Sequence, residues 1–362
     1  MKESFLEEKL AERRAAGAMR QLRPASGLTD YYSNDYLGIA CSGIGNMPAG
    51  PYAHGSTGSR LLSGNSSAAE ELEEIIAAFH KAEAALLFNS GYDANLGLLS
   101  SVPQRGDHVF YDRLSHASIR DGVRLSQAQH YSFEHNDPEA LEKKLSRAMS
   151  GQKFVVTESV FSMDGDKARL PEIAAICNRY GAHLIVDEAH GFGVIGNKGE
   201  GLVQDQSLQD ACFARVYTYG KAAGAHGAVV AGSRLLKDYL VNFSRSFIYT
   251  TALPLTAVAA IRHAYDIIPT MSAERGRIST LVDLFRESPM RYQVLDSDTP
   301  IQGVLTGGNE EARSVSARLA EEGFDVRPIL YPTVPKGSER LRIILHAFNT
   351  VADTQKLISC LQ

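Results

Sequence analysis

A lysine, an aspartate and a histidine each stand where an apolar segment of this sequence ends. Lys221 follows residues 216–220 (VYTYG) and precedes small residues, which suits an ε-amino group that forms an imine with a bulky aldehyde better than a solvated surface amine. Asp187 ends the apolar segment 184–186 (LIV), where a buried carboxylate needs a positive partner. His190 follows closely and adds a hydrogen-bonding ring. These residue types suit covalent chemistry on an aldehyde whose ring carries a protonated nitrogen.

A turn at Ser90, Gly91 and Tyr92 is a candidate for binding the phosphate of such an aldehyde. It follows the apolar segment 85–88 and leads into a helical pattern at 94–99. Free backbone N–H groups at the start of a helix bind phosphate. A lysine, a carboxylate and phosphate donors are what pyridoxal 5'-phosphate (PLP) requires of a protein. The sequence therefore predicts a PLP enzyme.

Three other motifs point to different chemistry and are weaker. Residues 191–196 (GFGVIG) fit a dinucleotide fingerprint, but more glycine-rich sequence follows them instead of a helix. Residues 187–190 (DEAH) match the acidic box of helicases, yet no glycine loop for a triphosphate accompanies them. Residues 164–166 (DGD) are too short for a calcium loop. We predict no metal site, and a nucleotide-binding module is the outside alternative.

Composition argues against several classes of partner. The 362 residues are 44% hydrophobic and 22% charged, as in a globular protein that buries a large core without disulfide bonds or structural metal ions. A net charge of -5 with scattered basic residues predicts no nucleic-acid or anionic-membrane partner. The first 22 residues form a charged helical pattern rather than a signal peptide, and no apolar run is long enough to span a membrane. Four widely spaced cysteines fit the reducing cytosol, so we predict a cytoplasmic protein.

The elements that must position these residues follow an alternating α/β rhythm between about residues 66 and 233. Helical patterns separate short apolar segments, which predicts strands buried on both faces and hence a mostly parallel sheet. Functional groups are then expected just beyond the strand ends. The predicted strands are residues 85–88, 108–111, 154–157, 184–186 and 216–219.

The pattern changes after Tyr249. A long apolar helix from Pro254 to about Pro269 precedes another helix, three strand-like pieces and a last helix that ends near Leu361. We therefore predict three parts, namely an N-terminal helix and arm at 1–40, a large PLP-binding domain at 41–268, and a small C-terminal α+β domain at 269–362.

Motifs spread along the chain resemble those of the α-oxoamine synthases. They are residues 33–38 (SNDYLG), 55–64 (GSTGSRLLSG), 112–118 (DRLSHAS), 161–166 (FSMDGD), 187–191 (DEAHG) and 218–221 (TYGK). The motifs occur in the family's order and cover nearly the whole chain. The resemblance implies the PLP-dependent transferase fold of type I, with a mostly parallel central sheet in the large domain. It also implies a homodimer whose subunits share the active sites.

The resemblance assigns roles to individual residues. Lys221 would carry the cofactor, Asp187 would contact its pyridine nitrogen, and His116 would stack on its ring. Ser162 and His190 would contact its phenolic oxygen. Further implied contacts are Ser90, Gly91, Tyr92 and Thr218 for the phosphate, Thr250 and Thr251 for the phosphate bound by the partner subunit, and Asn34 and Arg342 for the carboxylate of the amino acid. A guanidinium group such as that of Arg342 also matches a carboxylate geometrically.

The activity implied by the resemblance is the condensation of an amino acid with an acyl thioester, with loss of carbon dioxide. The nearest likeness is to members that serve biotin synthesis, which join L-alanine to a pimeloyl group on coenzyme A or an acyl-carrier protein. Arg20 either binds the distal carboxylate of pimelate or is one of several solvated helix charges. The alternatives are a member that uses glycine and acetyl-CoA, and a PLP aminotransferase or lyase.

Two departures from the family pattern bear on the acyl-substrate entrance. Ala69 stands where the family often has a histidine, shortly before the Leu-Glu of its first long helix. The segment between Gly38 and Gly55 is shorter than usual and lacks the normal helix after Leu-Gly. Neither departure touches the residues assigned to PLP.

Overall fold

The chain folds into two compact units. The computed structural model describes residues 3–20, 22, 24, 27–41, 55–147 and 149–362. The smaller unit comprises the described parts of Met1–Ser33, Met163–Gly165 and Arg277–Gln362, and the larger unit those of Asn34–Ser162 and Asp166–Gly276. Most of the short segment between Gly38 and Gly55 lies outside the described residues, so the predicted absence of a helix there stays a prediction.

Strands and helices are numbered along the chain. The strands are β1 (Thr29–Asp30), β2 (Ala84–Phe88), β3 (His108–Asp112), β4 (Gln129–Phe133), β5 (Lys153–Glu158), β6 (Ala182–Asp187), β7 (Cys212–Thr218), β8 (Ala228–Gly232), β9 (Ile301–Leu305), β10 (Phe324–Asp325), β11 (Arg327–Ile329) and β12 (Arg340–Ile344). The α-helices are α1 (Ser4–Ala15), α2 (Ser67–Phe79), α3 (Gly91–Ser101), α4 (Ala117–Leu125), α5 (Pro138–Leu145), α6 (Leu170–Tyr180), α7 (Leu202–Asp205), α8 (Arg234–Phe243), α9 (Arg245–Ile248), α10 (Leu255–Ile267), α11 (Ser272–Glu287), α12 (Asn309–Glu321) and α13 (Val351–Ser359).

The larger unit is built on a seven-stranded sheet with the order β2-β8-β7-β6-β5-β3-β4. β8 runs antiparallel to its neighbours β2 and β7, and the other neighbouring pairs are parallel. The remaining strands therefore all end at one edge of the sheet. Ligands of parallel sheets bind beyond the carboxyl ends of the strands, so this edge is the expected place for the site.

Apolar side chains hold the sheet between two layers of helices. One face packs Val109, Val156 and Val216 against residues of α3, α4 and α8. The opposite face packs Val155 and Val186 against residues of α5, α6 and α7. Successive strand residues point to opposite faces, so strands buried on both sides need the continuous apolar segments seen in the sequence. The predicted α/β fold with a mostly parallel sheet is confirmed.

The predicted strands of the larger unit are found as β2, β3, β5, β6 and β7. The apolar pattern does not identify β4, because this edge strand exposes Gln129, His130 and Ser132 and needs no apolar run. It also does not identify the antiparallel β8. Helix α10 begins directly after Pro254, as predicted. Within the described ranges, no helix has both the length and the hydropathy needed to cross a bilayer.

The smaller unit contains two small sheets. β1 pairs with β10 in parallel, and β12 lies antiparallel between β11 and β9. Helix α1 ends at Ala15, well before residue 22, because Gly17 adopts a left-handed φ of 59° that terminates the helix. The N-terminal arm is divided at Ser33, and the later boundary falls inside α11, after Gly276. The unit boundaries thus differ from the predicted boundaries at residues 40 and 268.

Candidate active site

A cavity of about 280 Å³ opens at the carboxyl edge of the large sheet. Its walls come from segments that follow β2 and β3, from the ends of β5, β6 and β7 with the residues just beyond β6 and β7, from the turn that leads into β8, and from Asn34. The predicted site residues that line it are Asn34, Ser90, Gly91, Tyr92, His116, Asp187, His190, Thr218 and Lys221. The sheet topology therefore brings together residues that are far apart in the sequence.

Lys221 lies in a tight turn after β7. The N–H of Gly224 donates to the carbonyl oxygen of Lys221 (2.9 Å). Gly224 has a left-handed φ of 58°, and a Cβ there would lie 2.7 Å from the backbone nitrogen of Ala40. Only glycine fits this position without strain. The turn thus places the half-buried Lys221 in the cavity wall, with Ala222 fully buried beside it.

Asp187 ends β6 with both of its carboxylate oxygens accepting N–H bonds. Oδ1 accepts from the backbone N–H of Ala189 (2.9 Å), and Oδ2 accepts from the side-chain amide of Asn95 (2.7 Å). Asp187 is 5% exposed and Asn95 is 1% exposed. The two bonds fix the plane of a carboxylate that faces the cavity, where a positively charged ring nitrogen would be its natural partner.

His116 caps the start of α4, and its ring borders the cavity. Its Nδ1 accepts the backbone N–H of Ser118 (3.2 Å) and lies 2.8 Å from Oγ of the same residue. Burial lowers the pKa of His116, with Asp187 opposing the shift and Lys221 reinforcing it. The ring is therefore neutral near pH 7 and carries its proton on Nε2.

Glu158 is a second acid in the cavity wall. It pairs with Asp187 in the register between β5 and β6, and it accepts the backbone N–H of His116 at Oε1 (2.6 Å). Burial, and then the charge of Asp187, raises the pKa of Glu158 to about 8. Glu158 is therefore mostly neutral near pH 7.

The start of α3 is the candidate for binding a phosphate group. Ser90 caps the helix by accepting the N–H of Asp93 (3.1 Å). A Cβ at Gly91 would overlap the Cγ2 methyl group of Thr218. The Oγ1 atom of Thr218 is buried and has no hydrogen-bond partner within the described part of the chain. A helix start, a required glycine and an unsatisfied hydroxyl together fit a phosphate group.

Comparisons with known proteins identify the family. The family model for aminotransferase class I and II matches residues 33–361. The 8-amino-7-oxononanoate synthase of Methylobacillus flagellatus is 41% identical, over 98% of this chain and 94% of its own length. The chain belongs to the α-oxoamine synthase family within this class.

Solved structures of α-oxoamine synthases have the same fold. The 8-amino-7-oxononanoate synthase from Francisella tularensis matches with a TM-score of 0.80 at 29% identity, over 92% of this chain and 96% of that one. A serine palmitoyltransferase variant from S. paucimobilis, solved with a bound PLP–myriocin adduct, matches with a TM-score of 0.88 at 26% identity, over 99% of this chain and 97% of that one. The predicted PLP-dependent fold of type I is confirmed.

The remaining predicted residues of this α-oxoamine synthase lie elsewhere. Ser162 is half-buried and is not among the residues that line the cavity. Asn89 donates its side-chain amide to Oγ1 of Thr250 (2.9 Å) and to the carbonyl oxygen of Thr251 (2.8 Å). Arg20 and Arg342 belong to the smaller unit. The roles of these five residues, like those of the residues that line the cavity, stay predictions.

Sequence reasoning gives no role to Asn95, Ser118 and Glu158, which line the cavity, or to Tyr36, whose hydroxyl lies 2.6 Å from Nδ1 of His190. Tyr36 and Ser118 fall inside motifs that carry the resemblance, but the motifs alone do not give them a role. Glu158 ends an apolar strand just as Asp187 does, so the signal that identified Asp187 could have identified Glu158 as well. Asn95 gives no such signal, because an asparagine within a helical pattern usually faces solvent.

Proposed function

We propose that this chain condenses L-alanine with a pimeloyl thioester to form 8-amino-7-oxononanoate, carbon dioxide and a free thiol, in biotin synthesis. The observation that carries the proposal is that Lys221, Asp187 and His116 line one cavity in a chain 41% identical to a synthase of this name. The test described below also includes glycine and other amino acids as alternative acyl acceptors.

The cavity residues fit PLP, and each would contact one part of it. Lys221 would bind the aldehyde carbon, Asp187 the ring nitrogen, and His116 one face of the ring. The start of α3 and the unsatisfied hydroxyl of Thr218 would bind the phosphate. His190 and Ser162 would contact the phenolic oxygen. PLP, when bound, supplies the electron-withdrawing ring that stabilises negative charge at Cα of the amino acid.

The protein's own groups perform the proton transfers. The ε-amino group of Lys221 would be the general base that takes the Cα proton of the amino acid. His116 is a neutral ring with its proton on Nε2, so it would stack on the cofactor without adding positive charge. Glu158 is mostly neutral near pH 7, so it places little negative charge beside Asp187, the proposed partner of the ring nitrogen.

The proposal also assigns residues to the recognition of the two substrates. Asn34 lines the cavity and, with Arg342, would bind the carboxylate of alanine. Arg20 would bind the distal carboxylate of pimelate, delivered on coenzyme A or on an acyl-carrier protein. We also propose a cytoplasmic homodimer in which Thr250 and Thr251 reach the phosphate bound by the partner subunit.

Thiol release with defined substrates tests the proposed function. Purified protein is incubated with PLP, pimeloyl-CoA and L-alanine, glycine or L-serine in turn, and free thiol and carbon dioxide are measured. Palmitoyl-CoA with L-serine and acetyl-CoA with glycine are the matched alternatives, and a keto acid product would indicate transamination. Release with pimeloyl-CoA and L-alanine supports the proposal. Release only with another pair overturns it.

Covalent trapping tests the assigned lysine separately. Borohydride reduction of the PLP-treated protein is expected to label Lys221, and the Lys221→Ala variant is expected to release no thiol. A label on any other lysine contradicts the assignment of Lys221 but leaves the substrate assignment to be judged by the thiol assay.

A further inference from the structure

A chain of hydrogen bonds joins His116 to Asp187 through two side chains. The amide nitrogen of Asn95 lies 2.7 Å from Oδ2 of Asp187 and 3.1 Å from Oγ of Ser118. Oγ of Ser118 lies 2.8 Å from Nδ1 of His116. All four residues line the same cavity. Asn95 thus contacts, directly or through one hydroxyl, two residues assigned to the cofactor ring.

The donor and the acceptor can be assigned in each of these hydrogen bonds. A side-chain NH₂ group only donates, so Asn95 donates to both Asp187 and Ser118. The hydroxyl of Ser118, which accepts from Asn95, is then free to donate to Nδ1 of His116. The backbone N–H of Ser118 donates to the same Nδ1 (3.2 Å). Nδ1 is therefore an acceptor, and the proton of the neutral ring stays on Nε2.

The position of Asn95 is not explained by stability alone. Its side chain is 1% exposed, and its Oδ1 is a buried acceptor without a partner among the described residues. A buried unpaired carbonyl oxygen is destabilising. Rotating the amide to exchange its two ends would instead place Oδ1 against the carboxylate oxygen of Asp187. The amide of Asn95 thus makes two donor bonds while its Oδ1 is buried without a partner among the described residues. Such an arrangement is typical of a functional site.

We infer that Asn95 is a positioning residue that sets the orientation of Asp187 and, through Ser118, the tautomer of His116. One amide group would then hold both the partner of the ring nitrogen and the ring that stacks on the cofactor. The inference rests on the proposed PLP site. Asn95 is not expected to touch substrate and acts on the cofactor through Asp187. The inference therefore predicts that removing the Asn95 amide lowers the affinity for PLP, and that this loss depends on the ring nitrogen of the ligand.

Ligand binding to cofactor-free protein tests the link to Asp187. Dissociation constants are measured for PLP and for 1-deazapyridoxal phosphate, in which a C–H group replaces the ring nitrogen. Asn95→Ala is expected to weaken PLP binding by about tenfold or more, because a hydrogen bond to a charged group is lost. Binding of the deaza analogue is expected to change less than about twofold, since its ring has no proton for Asp187. Asn95→Ser is a second variant in case the alanine variant does not fold.

Outcomes of the binding experiment separate the inference from the proposed function. An equal loss for both ligands means that Asn95 only supports the cavity, and it overturns the inference. Failure of the wild-type protein to bind either ligand overturns the proposed function instead. Ser118→Ala keeps the bond between Asn95 and Asp187 and is the matched control, so it is expected to leave the ratio of the two dissociation constants unchanged.

The tautomer of the His116 ring tests the link between Asn95 and His116. Nitrogen-15 NMR of the histidine rings in the wild-type protein is expected to show His116 as the neutral tautomer protonated on Nε2. The backbone N–H of residue 118 still donates to Nδ1 in both variants, so the Ser118→Ala and Asn95→Ser proteins are expected to show a larger fraction of the Nδ1-protonated tautomer than the wild type rather than a complete switch. A wild-type ring protonated on Nδ1, or a tautomer unchanged in both variants, overturns this part of the inference.

Discussion

The hydroxyl oxygen of Tyr36 lies 2.6 Å from Nδ1 of His190, and both side chains are buried. The same hydroxyl is 3.4 Å from Oδ1 of Asn34. A tyrosine hydroxyl has a single proton; if Tyr36 donates it to the nearer acceptor, Nδ1 of His190, the histidine ring carries its own proton on Nε2. We therefore expect Tyr36 to orient His190 as an Nε2–H donor toward the phenolic oxygen of the cofactor.

Replacing Tyr36 with phenylalanine tests this relationship. The Tyr36→Phe variant keeps the buried ring but leaves Nδ1 of His190 without the hydroxyl of Tyr36. We expect kcat/KM for thiol release to fall by about tenfold, which corresponds to the net contribution of one buried hydrogen bond. We also expect the pH midpoint of the cofactor's absorbance change to shift, because the phenolic oxygen loses an oriented donor. An unchanged midpoint would contradict the role.

The matched control is another buried tyrosine hydroxyl. Tyr31 bonds to Oγ1 of Thr354 (3.0 Å) and belongs to the smaller unit. The Tyr31→Phe variant removes an equally buried hydroxyl, so its effect on stability is expected to be similar. Its absorbance midpoint and kcat/KM are expected to match the wild type. A similar loss of kcat/KM in both variants would assign Tyr36 a purely structural role.

The raised pKa of Glu158 predicts how stability depends on pH. The folded protein holds a proton on Glu158 up to about pH 8, whereas the unfolded chain loses it near pH 4.5. The folded state therefore binds more protons in this window, and the contribution of Glu158 to stability falls as pH rises through it. In the Glu158→Gln variant this contribution is absent. We expect the melting temperature of the cofactor-free variant, relative to wild type, to rise with pH from about 5 to 8.5.

The amide oxygen of the Glu158→Gln variant can still accept the N–H of His116, so the comparison isolates the titrating proton. Glu172 is a suitable control because its ion pair with Arg169 is on the surface. Glu172→Gln is expected to show no comparable trend across the same pH range. A flat difference between wild type and Glu158→Gln would mean that Glu158 titrates normally.

The predictable and unpredictable parts of the site differ in their physical origin. Asp187 and Lys221 are visible in the sequence because each interrupts an apolar strand pattern, and burial of such groups requires a reason. The strand ends then locate the site at one edge of the sheet. Arg342 shows the limit of this reasoning, since only the family resemblance assigns it a carboxylate partner.

Asn95 and Ser118 depend on tertiary packing that no local pattern encodes. Asn95 lies on α3 and Ser118 on α4, and their contact follows from the close approach of these helices. Gly122 permits this approach, because a Cβ there would lie 2.9 Å from the carbonyl oxygen of Asn95. The edge strand β4 escapes prediction for a related reason, since its exposed polar residues meet no core.

The cradle formed by Gly91 and Thr218 gives a prediction on cofactor affinity. Gly91→Ala introduces a methyl group that overlaps Cγ2 of Thr218, so the start of α3 must move away from the phosphate site. We expect the dissociation constant for PLP to rise by about tenfold or more. Thr218→Ser removes the methyl group but keeps the hydroxyl. The double variant Gly91→Ala/Thr218→Ser is therefore expected to recover most of the affinity.

A glycine in open surroundings provides the control for this substitution. Gly276 lies in α11, and a Cβ there would meet no atom within 4 Å. Gly276→Ala is expected to leave PLP binding unchanged and to stabilise the helix slightly. If Thr218→Ser fails to restore the affinity of Gly91→Ala, the loss does not arise from the overlap between these two side chains.

Glu73 is the buried centre of an ion cluster in the larger unit, and it gives a prediction on stability. Its Oε1 accepts from Arg60 (2.7 Å) and from the backbone N–H of Leu87 (3.0 Å), while Oε2 accepts from Lys237 (2.7 Å). Glu73→Gln leaves two cations beside a neutral amide, so we expect the free energy of unfolding to fall by about 3 kcal/mol. The control is Glu172, which forms an exposed ion pair with Arg169. Glu172→Gln is expected to lower the free energy of unfolding by less than about 1 kcal/mol. Urea unfolding measures both, and equal losses would mean that burial does not strengthen the cluster around Glu73.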